Sequence, residues 1–538
     1  MRYVPALTST SLALSLLLVA GCAPEEEPVR ADASLEDQGP NLERFDNQQL
    51  SWKACHDENE VEELLEWGAQ EKWLESLECT TMNVPLDYTD PEGEQMGLAL
   101  VRRAAEGEPE ERKGSLVINP GGPGGSGLEM LTGELFTSEI RDVFDLVSFD
   151  PRGIGASAPI SCGEEFADEE DDPWEEYLSW DADPTDITED DLVTMDEMAR
   201  EVVDQCVEET GEEFLAHMGT VNVARDMDLI RENLDEDELH YVGYSYGTHL
   251  GALYAELYPE NVGGMVLDGA VDGEIDLLRM VVEQTEGFQE TWERFIEQCS
   301  ACPFDDSESA TETVTALAKG LDGDPIVIDD PAWHEEEVTI DGGALIGILM
   351  HSMYQEWVWP DLEEALVALG RGDLYEATYQ LSGLYWMFFL YMAEEEAEEN
   401  QAAARVAVEC ADSETGADLD AYREAAEAAY EASPLFGPGM VWPQMMCSHW
   451  ADPAERLSGF SASEAPPIVV IGTVGDPATP YEWSRRLADQ LDSATLVTYE
   501  GSGHGVYGFD ANTCVDEVID AYLLEGAVPD SGHSCLPE

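Results

Sequence analysis

The most constraining feature of the sequence is one serine between two glycines, directly after a short apolar run. Residues 243–247 read GYSYG and follow LHYV at 239–242. Glycine has no Cβ, so glycines on both sides of Ser245 let the backbone turn sharply from a strand into a helix. The serine hydroxyl then stands open at the helix N-terminus, where it can act as a nucleophile. The alternative is a plain glycine-rich turn with a solvated serine.

Apolar strands alternate with helical segments around this turn. Residues 248–258 (THLGALYAELY) predict a helix that ends before Pro259, and residues 264–267 predict the next strand. Upstream, residues 115–119 and 144–149 are further apolar strands, each followed by a turn. This alternation predicts an α/β fold with a doubly wound, mostly parallel sheet.

Two further side chains lie in turns that follow predicted strands near the C-terminus. The strand at 467–472 runs into Asp476, and the strand at 494–499 runs into His504, which has a glycine on each side. Open α/β sheets place their ligands at the carboxyl ends of the strands, so both side chains are expected at the edge that carries Ser245. Serine, acid, histidine is also one of the chain orders of catalytic triads. We therefore predict Ser245 as nucleophile, His504 as base and Asp476 as the carboxylate that orients the base.

One other acid and one other histidine compete for these roles. Asp268 is a rival acid, because it ends the strand after the serine turn. Asp476 is preferred, since its strand immediately precedes the strand that leads to His504. His249 lies four residues after Ser245 on the same predicted helix, where its side chain is expected to pack against the sheet rather than face the hydroxyl.

Acyl transfer at Ser245 also needs hydrogen-bond donors for the oxyanion. We expect the backbone N–H of Tyr246 to be one donor and that of Gly122, in the loop PGGPGGSG at 120–127, to be the second. A plain turn or a phosphate-binding loop is the alternative. The loop lacks the Lys-Ser/Thr ending of a P-loop, so nucleotide binding is not expected. No cysteine–histidine spacing resembles a zinc site, and we predict neither a metal nor a cofactor.

Four motifs together resemble the secreted tripeptidyl aminopeptidases of the α/β-hydrolase fold, which are relatives of proline iminopeptidase. They are NPGGPG at 119–124, DPRGIGAS at 150–157, GYSYGT at 243–248 and VLDG at 266–269. The resemblance extends from about Trp52 to the end of the chain. It implies a serine exopeptidase that removes amino acids or short peptides from free N-termini through an acyl-enzyme intermediate.

Two positions depart from the pattern of that family. Pro120 stands where proline iminopeptidases have histidine, which argues against proline iminopeptidase activity itself, and His249 occupies a position that is often aromatic. The loop at 150–157 is expected to buttress the site through Asp150 and Arg152, with no chemical step of its own.

The pattern of elements changes in the middle of the chain. Between residue 272 and about 461 it becomes helical and rich in aromatic residues and methionine. We predict an α/β-hydrolase core at 50–271 and 463–538, with a large helical cap at 272–462 inserted after the sixth strand. An aromatic stripe at 385–392 is expected in the core of the cap, with a substrate pocket as the alternative.

An exopeptidase needs a counter-charge for the free α-amine of its substrate, and buried carboxylates in a cap would provide it. Glu409 and Asp412, on either side of Cys410, are the candidates, and the expected partners are peptides with a free N-terminus. A carboxylesterase that uses the same residues on small esters remains an alternative. A noncatalytic lipoprotein that binds peptides is disfavoured, because serine, acid, histidine and oxyanion loop all occur in the expected order. The number of residues released and the oligomeric state stay open.

The N-terminal residues predict export. An apolar run at 12–20 is too short to span a membrane as a mature helix, and it ends in VAGC at 19–22, which resembles a bacterial lipobox. We predict a signal peptide at 1–21 and lipidation of Cys22, with ordinary secretory cleavage as the alternative. Residues 22–49 are acidic and poor in aromatic residues, which suits a flexible tether. The protein is then expected on the extracytoplasmic side, attached to the membrane only through its lipid.

Without Cys22 the chain has ten cysteines, an even number that allows five disulfides in an exported protein. Proximity in the sequence suggests the pairs Cys55–Cys79, Cys162–Cys206, Cys299–Cys302, Cys410–Cys447 and Cys514–Cys535.

The most unusual property of the composition is its excess of acidic residues. The chain has 118 acidic and 23 basic residues, a formal net charge of −95. Such a surface repels nucleic acid, whose phosphates need basic partners. Like charge of this density destabilises a compact state unless counter-ions screen it, and molar salt shortens the screening length to about 3 Å. We therefore favour a high-salt habitat, with an acidic surface selected only for solubility as the alternative.

Overall fold

The structure is a computed structural model, and it describes residues 42–56, 61, 64–65, 70–162, 187–328, 338–371, 373–385, 395–413, 418–450, 455–457, 459 and 461–538. The predicted signal peptide, Cys22, most of the tether and most of the aromatic stripe at 385–392 lie outside these residues and stay predictions. Within the described residues, no helix has both the length and the apolar character needed to cross a bilayer.

Within the described part of the chain, ten strands form one sheet, in the order β1-β2-β3-β5-β4-β6-β7-β10-β11-β12. All strands, in chain order, are β1 (Lys53–Ala54), β2 (Leu77–Pro85), β3 (Gln95–Arg103), β4 (Gly114–Asn119), β5 (Phe144–Phe149), β6 (Leu239–Tyr244), β7 (Val262–Asp268), β8 (Ile326–Ile328), β9 (Val338–Ile340), β10 (Ile468–Gly475), β11 (Ala494–Ser502) and β12 (His533–Cys535). From β5 to β12 neighbouring strands of this sheet pair in parallel, whereas β1, β2 and β3 pair in antiparallel fashion at one edge. The mostly parallel sheet predicted from the sequence is confirmed.

The central strands are apolar throughout because both faces of the sheet are covered. Strand β4 (GSLVIN) is buried along its whole length. Its Val117 packs in a cluster on one face, and its Leu116 and Ile118 pack in a second cluster on the other face. This period of two is that of a strand covered on both sides.

Helices follow most of the strands. They are α1 (Glu71–Glu75), α2 (Gly127–Met130), α3 (Ser138–Val143), α4 (Glu189–Thr210), α5 (Glu212–Leu215), α6 (Thr220–Asn233), α7 (Tyr246–Leu257), α8 (Leu277–Gln298), α9 (Ser307–Leu321), α10 (Gly342–Met353), α11 (Trp359–Arg371), α12 (Leu374–Tyr385), α13 (Glu395–Asp412), α14 (Leu419–Ala432), α15 (Tyr481–Gln490) and α16 (Thr513–Glu525). The helix predicted after Ser245 is α7, and it ends before Pro259 as expected.

The helices α8 to α14 lie between β7 and β10, where the sequence predicts the cap. The insertion follows the sixth strand when the two-residue β1 is not counted. Several of these helices share a hydrophobic cluster that includes Trp292, Phe295, Trp359 and Phe436. The short antiparallel pair β8–β9 also lies here and was not predicted, because strands of three residues carry too little periodicity to recognise. The exact boundaries of the cap stay a prediction.

A second insertion, between β5 and β6, also reaches the cap. Its helix α4 packs against the segment Trp442–Ser448. The Nε2 atom of His449 lies 2.8 Å from Oδ1 of Asp196 on α4. The sequence does not predict this contact, because neither segment carries a pattern that indicates its partner.

The ten described cysteines form the five disulfides that sequence proximity suggests. Among them, Cys410–Cys447 joins the end of α13 to the segment Trp442–Ser448. This bridge restrains the helix that carries Glu409 and Asp412.

Candidate active site

Ser245 occupies the sharp turn between β6 and α7. Its backbone has φ 55° and ψ −126°, a conformation that non-glycine residues rarely adopt. A Cβ on Gly243 would lie 2.3 Å from the carbonyl oxygen of Gly247, and one on Gly247 would lie 2.7 Å from Oδ1 of Asn119. Glycine is therefore required on both sides. The Ser245 N–H donates to the carbonyl oxygen of Asp268 at 3.0 Å, which ties the turn to β7.

The ends of β10 and β11 bring Asp476 and His504 into contact. The Nδ1 atom of His504 lies 2.9 Å from Oδ1 and 3.0 Å from Oδ2 of Asp476. The Asp476 carboxylate is buried, and it accepts hydrogen bonds from the N–H groups of Ala478 and Thr479 and from the Thr479 hydroxyl. These donors fix the orientation of the carboxylate next to the imidazole. Gly269 leaves room for the ring, since a Cβ there would lie 3.1 Å from Cε1 of His504.

The electrostatic surroundings of His504 suit a general base. Burial alone would lower the pKa of the imidazole, but the charge and hydrogen bond of Asp476, with a further contribution from Asp268, raise it above the ordinary 6.5. A base is most effective when its pKa is near the working pH. Because that pKa is raised, the neutral ring that accepts a proton predominates only at a pH above 6.5.

Asp268, the rival acid, makes a different set of contacts. Its Oδ2 accepts hydrogen bonds from the N–H groups of Val506 and Tyr507, both at 2.8 Å. Its Oδ1 has no hydrogen-bond partner among the described residues, and burial raises the pKa of Asp268 to about 6. The carboxylate thus holds the loop that follows His504, while Asp476 contacts the imidazole.

The glycine-rich loop packs directly on the serine turn. Gly121 and Gly122 have φ values of +95° and +107°, which favour glycine. A Cβ on Gly121 would lie 2.9 Å from Cβ of Ser245 and 3.2 Å from the backbone nitrogen of Tyr246. The two residues predicted to donate to an oxyanion, Gly122 and Tyr246, line the same cavity as Ser245.

The loop at 150–157 supports this arrangement through Asp150. The Asp150 carboxylate accepts a hydrogen bond from the Ser126 hydroxyl at 2.7 Å and from the Leu128 N–H at 3.2 Å, just after the glycine-rich loop. Arg152 is fully buried and bonds to both carboxylate oxygens of Asp226 at 2.7 and 2.8 Å. Asp150 therefore anchors the glycine-rich loop, and Arg152 stabilises the framework behind it.

A cavity of about 670 Å³ lies over Ser245. The core side of its lining includes Gly122, Ser245, Tyr246 and His249, and the cap side includes Arg405, Glu409 and Asp412. The expectation that His249 packs against the sheet is therefore wrong. His249 lies one turn into α7, and the cavity reaches this part of the helix as well as Ser245. Burial lowers the pKa of this histidine.

The two carboxylates predicted to bind an amine both line the cavity, but they differ in their partners. Glu409 is mostly buried, and its Oε1 lies 2.9 Å from Nε of Arg405. Asp412 accepts hydrogen bonds from the N–H of Thr220, at 2.8 Å, and from its hydroxyl. The Thr220 hydroxyl is also bonded to the hydroxyl of Tyr246.

Sequence reasoning missed Arg405 and Thr220. The only available signal was the i, i+4 spacing of Arg405 and Glu409 in a chain with few basic residues. The pKa of Asp412 is raised by burial.

Helix α13, which carries Glu409 and Asp412, is hydrogen-bonded to the core. The side-chain oxygen of Asn400 accepts a hydrogen bond from the N–H of Gly155 at 2.8 Å, and its side-chain nitrogen donates to the carbonyl oxygens of Gly153 and Ile160, both at 2.9 Å. These bonds fix the cap side of the cavity to the core, and the Cys410–Cys447 disulfide ties the same helix to another segment of the cap.

Comparison with known proteins agrees with the fold. The family described as TAP-like protein matches residues 433–535, and the alpha/beta hydrolase fold family matches residues 114–317. Serine protease Hip1 of Mycobacterium tuberculosis is 35% identical over 506 residues, which cover 91% of each chain. Tripeptidyl aminopeptidase of Streptomyces coelicolor is 31% identical over 469 residues, 86% of this chain and 83% of the relative.

Two further similarities complete the comparison. Carboxylesterase B of Mycobacterium tuberculosis is 33% identical over 555 residues, 98% of each chain. The solved structure of Rv0554 from Mycobacterium tuberculosis aligns with a TM-score of 0.37 at 15% identity, over 84% of this chain and all of that one. Because serine protease Hip1 and tripeptidyl aminopeptidase are 35% and 31% identical over most of both chains, this chain belongs to the TAP-like branch of the α/β-hydrolases.

Proposed function

We propose that this hydrolase is a serine exopeptidase that removes amino acids or short peptides from free N-termini. The observation that carries the proposal is the contact of His504 with a buried Asp476, at the sheet edge where Ser245 opens into a cavity walled by Glu409 and Asp412. The relatives named serine protease and tripeptidyl aminopeptidase support it.

The proposed reaction begins with attack of the Ser245 hydroxyl oxygen on the scissile carbonyl carbon. His504 takes the hydroxyl proton, and Asp476 stabilises the resulting imidazolium. The N–H groups of Tyr246 and Gly122 stabilise the oxyanion of the tetrahedral intermediate. His504 then gives its proton to the leaving amine, and a water molecule hydrolyses the acyl-enzyme by the same steps in reverse.

Recognition of the free amine is assigned to the carboxylates of the cap. Glu409 already forms an ion pair with Arg405. We therefore assign the closer ionic contact with the ammonium group to Asp412 and a supporting contact to Glu409. Because α13 is fixed to the core, the distance from this anchor to Ser245 sets how many residues separate the N-terminus from the cleaved bond. A fixed anchor of this kind makes an enzyme an exopeptidase rather than an endopeptidase.

Labelling with a fluorophosphonate tests the nucleophile. Ser245 is expected to be the modified residue, and Ser245→Ala should abolish both labelling and turnover. Labelling that persists in the variant would refute the assignment.

A panel of chromogenic amides tests the substrate class. Aminoacyl, dipeptidyl and tripeptidyl amides should be cleaved, and the same compounds with blocked N-termini should not. Asp412→Asn should raise KM for the free-amine substrates far more than it changes hydrolysis of a simple ester. Equal rates on free and blocked substrates would contradict amine recognition.

A carboxylesterase is the second candidate, and the relative named carboxylesterase B favours it. The same nucleophile, base and oxyanion donors would serve ester hydrolysis, so labelling does not distinguish the two functions. A preference for uncharged esters, with equal rates on substrates with free and blocked amines, would identify the enzyme as an esterase.

A further inference from the structure

His504 lies in a glycine-flanked loop whose sequence does little to fix its backbone conformation. Strand β11 ends at Ser502, and the neighbours Gly503 and Gly505 have φ values of +112° and +75°. Glycine populates many backbone conformations, so the glycines themselves do not fix the histidine, although the N–H of Gly503 donates to the carbonyl oxygen of Gly475 at 3.1 Å. Its position must therefore come from contacts with other parts of the chain.

Two consecutive residues of the cap supply these contacts. The N–H of His504 donates to the carbonyl oxygen of Tyr354 at 2.9 Å, and the side-chain nitrogen of Gln355 donates to the carbonyl oxygen of His504 at 3.4 Å. The Tyr354 ring also meets the imidazole edge-to-face, with centroids 5.4 Å apart and an interplanar angle of 89°. The cap thus contacts the backbone N–H, the carbonyl and the ring of one residue.

We propose that Tyr354 and Gln355 are positioning residues for His504, so that the cap holds the catalytic base in place as well as covering the cavity. The inference rests on the proposed role of His504 as the base. Asp476 fixes one ring nitrogen, and a contact at that single atom leaves the ring free to tilt. The Tyr354 ring restricts the tilt, and the two backbone contacts restrict movement of the loop.

Tyr354 can do this because it is itself held firmly. It follows the C-terminus of α10, where its N–H donates to the carbonyl oxygen of His351 at 3.1 Å. Its ring packs against that of Phe288, a member of the hydrophobic cluster of the cap, with centroids 5.7 Å apart. The position of the imidazole is thereby coupled to the packing of the cap.

The loop approaches this part of the cap closely. A Cβ on Gly503 would lie 3.1 Å from the carbonyl oxygen of Tyr354. Any side chain at position 503 would therefore push the loop away from the cap. On its other side the loop is held by Asp268, through the N–H groups of Val506 and Tyr507. Core and cap therefore hold His504 between them.

The test compares substitutions within one short segment. Tyr354→Phe keeps the ring and the backbone contacts, so kcat should stay close to that of the natural protein. Tyr354→Leu keeps apolar volume beside Phe288 but removes the ring. A displacement of about 1 Å at a reacting group can cost about 10²-fold, so we expect kcat to fall at least about tenfold with little change in KM. Gln355→Ala should lower kcat by a smaller factor.

Trp357→Ala is the matched control, because Trp357 is 65% exposed in the same segment. Its kcat, and its rate of inactivation by a fluorophosphonate, should equal those of the natural protein. In Tyr354→Leu the inactivation rate should fall together with kcat at an unchanged melting temperature, since both depend on proton transfer from Ser245 to His504.

Two results would overturn the positioning role: a folded Tyr354→Leu with the kcat and inactivation rate of Trp357→Ala, or an equal loss in Tyr354→Phe. If Tyr354→Leu does not fold, Gln355→Ala decides, and unchanged kcat there refutes the proposal. Failure of the proposed function has a separate signature, namely that the unsubstituted protein is not labelled at Ser245.

Discussion

Replacing Asp476 by asparagine should lower kcat by about four orders of magnitude without unfolding the protein. The Oδ1 atom of Asp476 accepts the N–H groups of Ala478 and Thr479, so an asparagine must place its own carbonyl oxygen there. Its NH₂ group then takes the place of Oδ2, which lies 3.0 Å from Nδ1 of His504. Nδ1 also lies 2.9 Å from Oδ1, so the amide nitrogen, which can only donate, competes with the amide oxygen for Nδ1 and favours the tautomer that carries its ring proton on Nε2. In that tautomer Nε2 cannot accept the proton of Ser245.

The loss of charge adds to the loss of the correct tautomer. The carboxylate raises the pKa of His504 and stabilises the imidazolium that forms during the reaction. A comparable substitution in another serine protease lowers kcat about 10⁴-fold. That factor corresponds to about 5 kcal/mol in the activation free energy.

The isosteric change at Asp268 is the matched control. Its Oδ2 accepts the two N–H groups of Val506 and Tyr507, and an asparagine can accept both with its carbonyl oxygen. The NH₂ group would take the place of Oδ1, which has no hydrogen-bond partner in the described part of the chain. Asp268→Asn should therefore preserve the loop and lower kcat far less than Asp476→Asn.

The measurements are kcat, KM and the melting temperature of both variants, with the fraction of active enzyme determined by fluorophosphonate titration. Both variants should fold and bind substrate. A larger loss of kcat in Asp268→Asn than in Asp476→Asn would show that Asp268 is the acid of the triad, and the reasoning from hydrogen-bond geometry would then be wrong.

Three further predictions concern pH, salt and the membrane. Because the pKa of His504 is raised, the acid limb of kcat/KM should lie above pH 6.5, and Asp268→Asn, which removes a neighbouring negative charge, should move it to lower pH; an unmoved limb would contradict the electrostatic coupling. The melting temperature should rise strongly from dilute buffer to molar KCl, because salt screens the repulsion among the acidic side chains of a protein with a net charge of −95. A melting temperature that does not change over this range would refute the adaptation to a saline habitat. Cys22→Ala should release the protein from the membrane fraction of an expressing bacterium, and unchanged fractionation would exclude a lipid anchor.

The residues that sequence reasoning could find are those that follow buried strands. Ser245, Asp476 and His504 each stand where a continuous apolar run stops, and the carboxyl ends of parallel strands share one edge. Because β10 and β11 are adjacent and parallel, the contact between Asp476 and His504 follows from their order in the chain. Local pattern and sheet topology together therefore predict that these three residues share one edge of the sheet, and their roles in a catalytic triad stay a prediction.

The contributions of the cap and of α6 could not be found in this way. Thr220, Tyr354 and Arg405 lie on segments far apart in the chain, and each reaches the site only through the packing of helices against one another. Helical periodicity indicates which face of a helix is buried, but it does not indicate what that face is buried against. The role of Asp268 was hidden for the same reason, since its two backbone donors come from a loop more than two hundred residues later in the chain.

The contacts of the cap with the core occur at the parts of the site that carry the proposed chemistry. Helix α13 approaches the glycine-rich loop so closely that a Cβ on Gly124 would lie 2.7 Å from the carbonyl oxygen of Gln401. Asp412 is linked through Thr220 to Tyr246, the residue after the serine, and Tyr354 contacts the histidine. A cap that only covered the cavity would need none of these contacts. Movement of these segments away from the core would disturb the oxyanion loop and the base together, so the cap is better regarded as part of the catalytic framework than as a removable lid.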